Sequence, residues 1–126
     1  MTGIFNGPID VLLQLRDPEA AFIGATTQED AVDLDFAKLA DFKVVFAVAE
    51  VNVEATDTAW TLAVFTDNNV SLGSFSDVAE GFYEVPLSGA YVLAKDPSAT
   101  GLYVKATQTG SGGDLSYGAY IAPATR

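Results

Sequence analysis

The chain has 126 residues, 49% hydrophobic and 18% charged, the balance of one folded domain around a single core. Its 17 acidic residues against 6 basic ones give a formal charge of −11, which repels nucleic acid and anionic membrane surfaces. Histidine and cysteine are both absent, so Ser-His-Asp and Cys-His catalysis, disulfides and nearly every soft-metal site are excluded.

No apolar run approaches the ~20 residues that span a bilayer as a helix. The opening Met1, Thr2, Gly3, Ile4, Phe5 lacks the basic lead and continuous apolar stretch of a secretory signal, so export is not expected. The acids are scattered from Asp10 to Asp114, as on a solvated surface.

In chain order, Ile4 and Phe5 precede Asn6, Gly7 and Pro8, which break any regular element. Ile9, Val11, Leu13 and Leu15 then alternate, while Leu12 also fits a helical stripe before Asp17 and Pro18 end it; strand and helix both stay open here. Residues 1–30 read as an arm or edge segment that packs on its own sandwich or on a neighbouring subunit, and residues 31–126 as the sandwich domain.

From Ala31 the period is two, with Val32, Leu34 and Phe36 on one side and Asp33 and Asp35 on the other, a half-buried strand. Residues 37–41 allow no more than a helical turn. Residues 42–53 (FKVVFAVAEVNV) are apolar on both faces and rich in β-branched side chains, as a central strand is. Residues 59–66 follow, and Asp67, Asn68 and Asn69 make a turn. Further strands are expected over 70–75, 81–85, 89–94, 102–108 and 115–122, with Pro86 and Pro97 just beyond strand ends. The expected fold is all-β, a single antiparallel sandwich or barrel of about eight strands with little helix.

The stretch TQTGSGGDLSYGAYIAP (107–123) fails as a nucleotide site. Leu115 stands where a dinucleotide fingerprint needs its third glycine, and Lys105 precedes the glycines, where a P-loop lysine follows them. Alternating residues on both sides favour a hairpin turned by the glycines.

Carboxylate pairs are the remaining route to catalysis. Strand alternation places Asp33 and Asp35 on one face about 7 Å apart, a spacing that a two-carboxylate glycosidase could use; Glu50 with Glu54 is the other pair. An ordinary solvated face is the preferred reading, and no catalytic residue is assigned. Asp67, Asn68 and Asn69, or Asp57 with Glu54, offer oxygens to calcium, but no calcium-loop spacing occurs, and neither metal nor cofactor is expected. Trp60 shares its side with Leu62 and Val64 and belongs to the core. Tyr103 and Tyr120 fall opposite Val104 and Ile121, outward and paired across the hairpin, with sugar stacking as the less favoured role.

The lead Asp10 to Asp17, then Ala21 to Thr26, then Val32 to Leu34, resembles the entry to the first strand in the jelly-roll cement, or decoration, proteins of tailed-phage capsids, of the Bordetella-phage type. Leu62 to Asn68 resembles that family's strand and turn, and Leu102 to Val104 through Gly113 to Tyr120 its closing hairpin. The opening residues 1–7 and the acidic balance depart from it. The resemblance implies a non-enzymatic jelly-roll protein on the outside of the virion, assembled in the bacterial cytoplasm. Its implied partner is the major capsid protein, whose lattice it stabilises as a homo-oligomer, a dimer or trimer, without touching nucleic acid or membrane. The residues chosen for the capsid contact are Ile4, Phe5, Ile9, Val11, Leu13 and Leu15 of the arm, then Gly110, Ser111, Gly112, Gly113 and Asp114. A plain chain end and a plain turn are the competing readings of those two segments. A carbohydrate-binding sandwich, or a phage fibre or tail domain, is the alternative function.

Overall fold

The structure, a computed structural model, describes residues 14–17, 22–53, 58–110 and 112–123. Nine strands occur among them: β1 (Gln14–Arg16), β2 (Thr27–Gln28), β3 (Val32–Asp33), β4 (Asp41–Val53), β5 (Ala59–Thr66), β6 (Ser71–Phe75), β7 (Gly81–Ser88), β8 (Gly101–Thr109) and β9 (Gly113–Pro123). One sheet has the order β1-β9-β4-β7; the other has the order β2-β8-β5-β6, with β3 also on β8. All pairings are antiparallel. The pairs are nested: β1 with β9, β2 and β3 with β8, β4 with β7, β5 with β6. A ribbon paired in this way and rolled into two facing sheets is a jelly roll.

Alternation decides which side chains fill the space between the sheets. In β4, Phe42, Val44, Phe46 and Val48 are buried inward. A register shift between Val48 and Glu50 inserts one residue, so that Val51, three positions on, packs against the same core. Trp60, Leu62 and Val64 of β5 face Leu115, Tyr117, Ala119 and Ile121 of β9 across a core completed by Leu102, Val104 and Ala106 of β8. Val45, on the outer face, is only 3% exposed because Tyr120 and Glu84 flank it in register. The strand is therefore apolar on both faces, as its composition requires.

Several expectations need correction. Residues 89–94 are not a strand: Gly89–Lys95 is a helix, α1. The Ser88 side chain caps it by accepting from the Tyr91 backbone N–H at 3.0 Å, and Gly89 and Val92, one turn apart, are its buried face. A Cβ at Gly89 would stand 1.9 Å from the Phe36 carbonyl oxygen, so only glycine lets α1 lie against the 3-10 turn Phe36–Lys38. That turn also shortens the strand expected from Ala31 to two residues, Val32–Asp33.

Residues 102–108 and 115–122 do not form a hairpin. β8 pairs with β5 and β9 with β4, so the glycines carry the chain from one sheet to the other. Gly110 (φ 78°) and Gly112 (φ 82°) supply the left-handed conformations this crossing needs. β4 and β5 cross between the sheets at the same end, since Val53 pairs with Gly113 and Ala59 with Thr109. Pro86 lies inside β7, opposite Lys43; with no strand beyond β7 among the described residues, its missing N–H costs no ladder bond.

The segment read as an arm contributes strands of its own. Gln14–Arg16 runs along β9 and Thr27–Gln28 along β8, one in each sheet. Residues 1–13 lie outside the described residues.

Candidate binding surface

Arg16 fastens this N-terminal part to the body. Its Nε donates to the Tyr117 carbonyl oxygen at 3.0 Å and its Nη1 to Glu29 Oε2 at 2.9 Å, while the guanidinium carbon lies 4.8 Å from the Tyr117 ring centroid. Burial pushes the Tyr117 hydroxyl well above the usual tyrosine range; Arg16 opposes the shift and Glu29 adds to it. This is a structural clamp joining β1, β9 and the residue after β2.

A second polar cluster ties the turn after β5 to the loop after α1. Asp96 Oδ2 accepts from Thr66 Oγ1 at 2.7 Å and Asn68 Nδ2 at 3.0 Å, and its Oδ1 accepts from the Ser98 backbone N–H and hydroxyl. Asp67 accepts from the backbone N–H and hydroxyl of Thr100 and from the Gly101 N–H. The Thr66 hydroxyl, foremost, holds the Asp96 carboxyl below the usual range, and the Thr100 backbone N–H does the same for Asp67. These carboxylates act as joints of the fold, each tying two loops together through its hydrogen bonds. No grouping of three or more His, Cys, Asp or Glu placed to hold a metal occurs among the described residues.

These two carboxylates make the stability acid-sensitive. A folded pKa below the unfolded value of 3.8 stabilises the fold at pH above that value, and the contribution is lost as pH falls through the folded pKa. The melting temperature followed by circular dichroism is expected to fall below about pH 4. The Asp67→Asn, Asp96→Asn double variant should start lower at pH 7 and show a shallower acid decline; an identical decline would refute the assignment.

Among the residues chosen for a partner contact, Leu15 is 4% exposed and belongs to the core, so it is not offered to a partner. Gly110 and Gly112 are exposed, but Gly113 and Asp114 are already strand residues of β9, opposite Val53 and Asn52. Ile4, Phe5, Ile9, Val11, Leu13 and Ser111 lie outside the described residues, as do Glu54 and Asp57. Tyr103 is on the face of its strand opposite Val104, as alternation requires, but it is neither open to solvent nor beside Tyr120. It is 4% exposed, stacks on Phe65 with ring centroids 5.2 Å apart and donates to Asn69 Oδ1 at 2.6 Å, in the opposite sheet from Tyr120. Trp60 is in the core, as its neighbours required.

What remains available is apolar and open. On the outer face of the first sheet, Phe82 is 72% exposed beside Ala47, and Tyr120 is exposed beside Val45. One face of α1 borders a groove lined by Phe42, Leu72, Leu87 and Tyr91, where Lys95 Nζ stands 5.9 Å from the Tyr91 ring centroid. The other borders a groove of about 450 Å³ built from Leu34, Phe36, Leu93 and Ala99, with Asp33 and Asp35 at its rim. Sequence reasoning placed those two aspartates outward, where they are, but missed the groove because its far wall, Leu93, Ala99 and Thr100, comes from the unrecognised helix and the loop after it. No family model matches the chain, and no curated protein matches its sequence.

Proposed function

We propose that this protein is a non-enzymatic capsid decoration protein, which binds the outer surface of an assembled phage shell and stabilises it. The observation that carries the reading is the distribution of polar and apolar groups over the jelly roll. Its two most heavily hydrogen-bonded carboxylates, Asp67 and Asp96, are engaged by their own loops, while apolar side chains such as Phe82 stand exposed on shallow surfaces. Such a surface suits adhesion to a broad protein face. The likeness of its strands and turns to phage cement proteins supplies the identity of that face. A protein that binds the lattice and not its separated subunits stabilises the lattice by mass action.

The test uses expanded shells of a tailed-phage major capsid protein. The purified protein is expected to bind them stoichiometrically and to raise their melting temperature in calorimetry. A truncation lacking residues 1–13 but keeping β1 retains the core residue Leu15 and is expected to fold yet bind more weakly. Shells that melt identically with and without the protein would remove the proposal.

A further inference from the structure

We propose that the groove between β3 and α1 docks an extended basic segment of the partner, with an apolar side chain seated between Leu34 and Leu93 and flanking Lys or Arg side chains on Asp33 and Asp35. The inference rests on the adhesion reading above and specifies its partner's chemistry.

The groove joins two kinds of recognition in one place. Phe36 and Ala99 are buried, Leu34 and Leu93 are half-buried, and about 450 Å³ of open space lies beside them. That is room for an aliphatic side chain and its neighbours. Asp33 and Asp35 are both exposed at the rim, and the groove's lining includes no basic residue. Lys38 is 3.8 Å from Asp35, but both are well exposed and such a pair is weak; no ion pair involving Asp33 occurs among the described residues. On a chain of formal charge −11, this rim attracts a basic segment and turns away an acidic one. β3 has no strand on its other side among the described residues, so an extended segment can lie along it.

The other apolar surfaces lack this combination. The groove beside Tyr91 carries one acidic residue, Asp41, and has Lys95 over the Tyr91 ring, so its charge is mixed, and the shallow groove at Ala47, Val48, Ala49, Gly81 and Phe82 has no charged lining. Neither selects a partner by charge as the groove at Leu93 does.

The test is a titration of the isotopically labelled protein, followed by amide resonances, with the synthetic peptide KLKVKLKV and the controls KSKTKSKT and ELEVELEV. KLKVKLKV is expected to shift the amides of Leu34, Leu93 and Ala99. The Asp33→Asn, Asp35→Asn double variant should lose about tenfold in affinity, and 0.5 M salt should weaken binding similarly. Shifts confined to other surfaces, equal binding of KSKTKSKT, or undiminished affinity of the double variant would each overturn the proposal. The double variant is then mixed with capsid shells. If it binds them as well as the parent chain does, the groove is not the capsid contact, while the decoration role stands. If the parent chain fails on shells but KLKVKLKV still fills the groove, the decoration role falls and the groove's chemistry stands.

Discussion

Replacing Trp60 by alanine is expected to lower the unfolding free energy by about 3–5 kcal/mol, read from urea denaturation at pH 7. Trp60 is fully buried, the largest such side chain in the core, and lies in β5 between β8 and β6. Its removal takes away more apolar contact than any other single truncation and leaves a cavity that two hydrogen-bonded sheets cannot close by moving together. The indole adds a second effect. Its Nε1–H is buried with no hydrogen-bond partner among the described residues, so part of the packing gain is offset by an unsatisfied donor. Trp60→Phe removes that donor and keeps a six-membered ring in place, and is therefore expected to cost much less than Trp60→Ala. Against a typical domain stability of about 5–15 kcal/mol, the alanine variant should be marginal. A loss below about 1 kcal/mol would show that the side chain is not packed as described.

Gly89→Ala is expected to destabilise by about 1–3 kcal/mol or more, opposite in sign to the effect of the same change in an exposed helix, where alanine gains about 1 kcal/mol. The new Cβ would meet two backbone oxygens, that of Phe36 at 1.9 Å and that of Leu39 at 2.5 Å. Neither is the end of a flexible side chain, so α1 would have to withdraw from the 3-10 turn. The Gly89 N–H, which donates to the Ala40 carbonyl oxygen at 3.4 Å, would withdraw with it. Thermal unfolding of this variant beside Ala90→Gly, at an exposed position of the same helix, separates the clash from helix propensity. An unchanged or raised melting temperature for Gly89→Ala would contradict the packing of α1 on that turn.

The long strands were legible because their physics is local. Residues 42–53 and 59–66 alternate or run apolar over enough positions that no other element accommodates them, and the structure has β4 and β5 there. Residues 89–94 misled because two helical turns present only two buried positions, Gly89 and Val92, and Leu93 beside them blurs the period. The decisive signals were the Ser88 cap and the closeness of Gly89 to Phe36, and the second is a contact across 53 positions of sequence that no window contains. The glycine-rich turn misled for a related reason. Glycines permit a hairpin and an inter-sheet crossing alike, and the choice belongs to β5 and β4, which claim β8 and β9 for different sheets. Tyr103 was placed outward by alternation alone; stacking on Phe65 and the bond to Asn69 cover it from outside. The same applies to the groove at Leu93, whose two walls come from opposite sides of β4 in the chain.

The nesting of the strand pairs also sets a clock. Arg16 finds its acceptor at Tyr117, 101 residues later, and β1 finds its only strand partner, among those described, in β9. At a translation rate of about 5–20 residues per second, that partner is synthesised roughly 5–20 s after β1 leaves the ribosome's active centre. Until then β4 can pair with β7 alone, and the first sheet lacks its central strand β9. Folding is thus a late event, completed only when the last strand arrives, and the waiting chain carries its unpaired edges as an aggregation hazard.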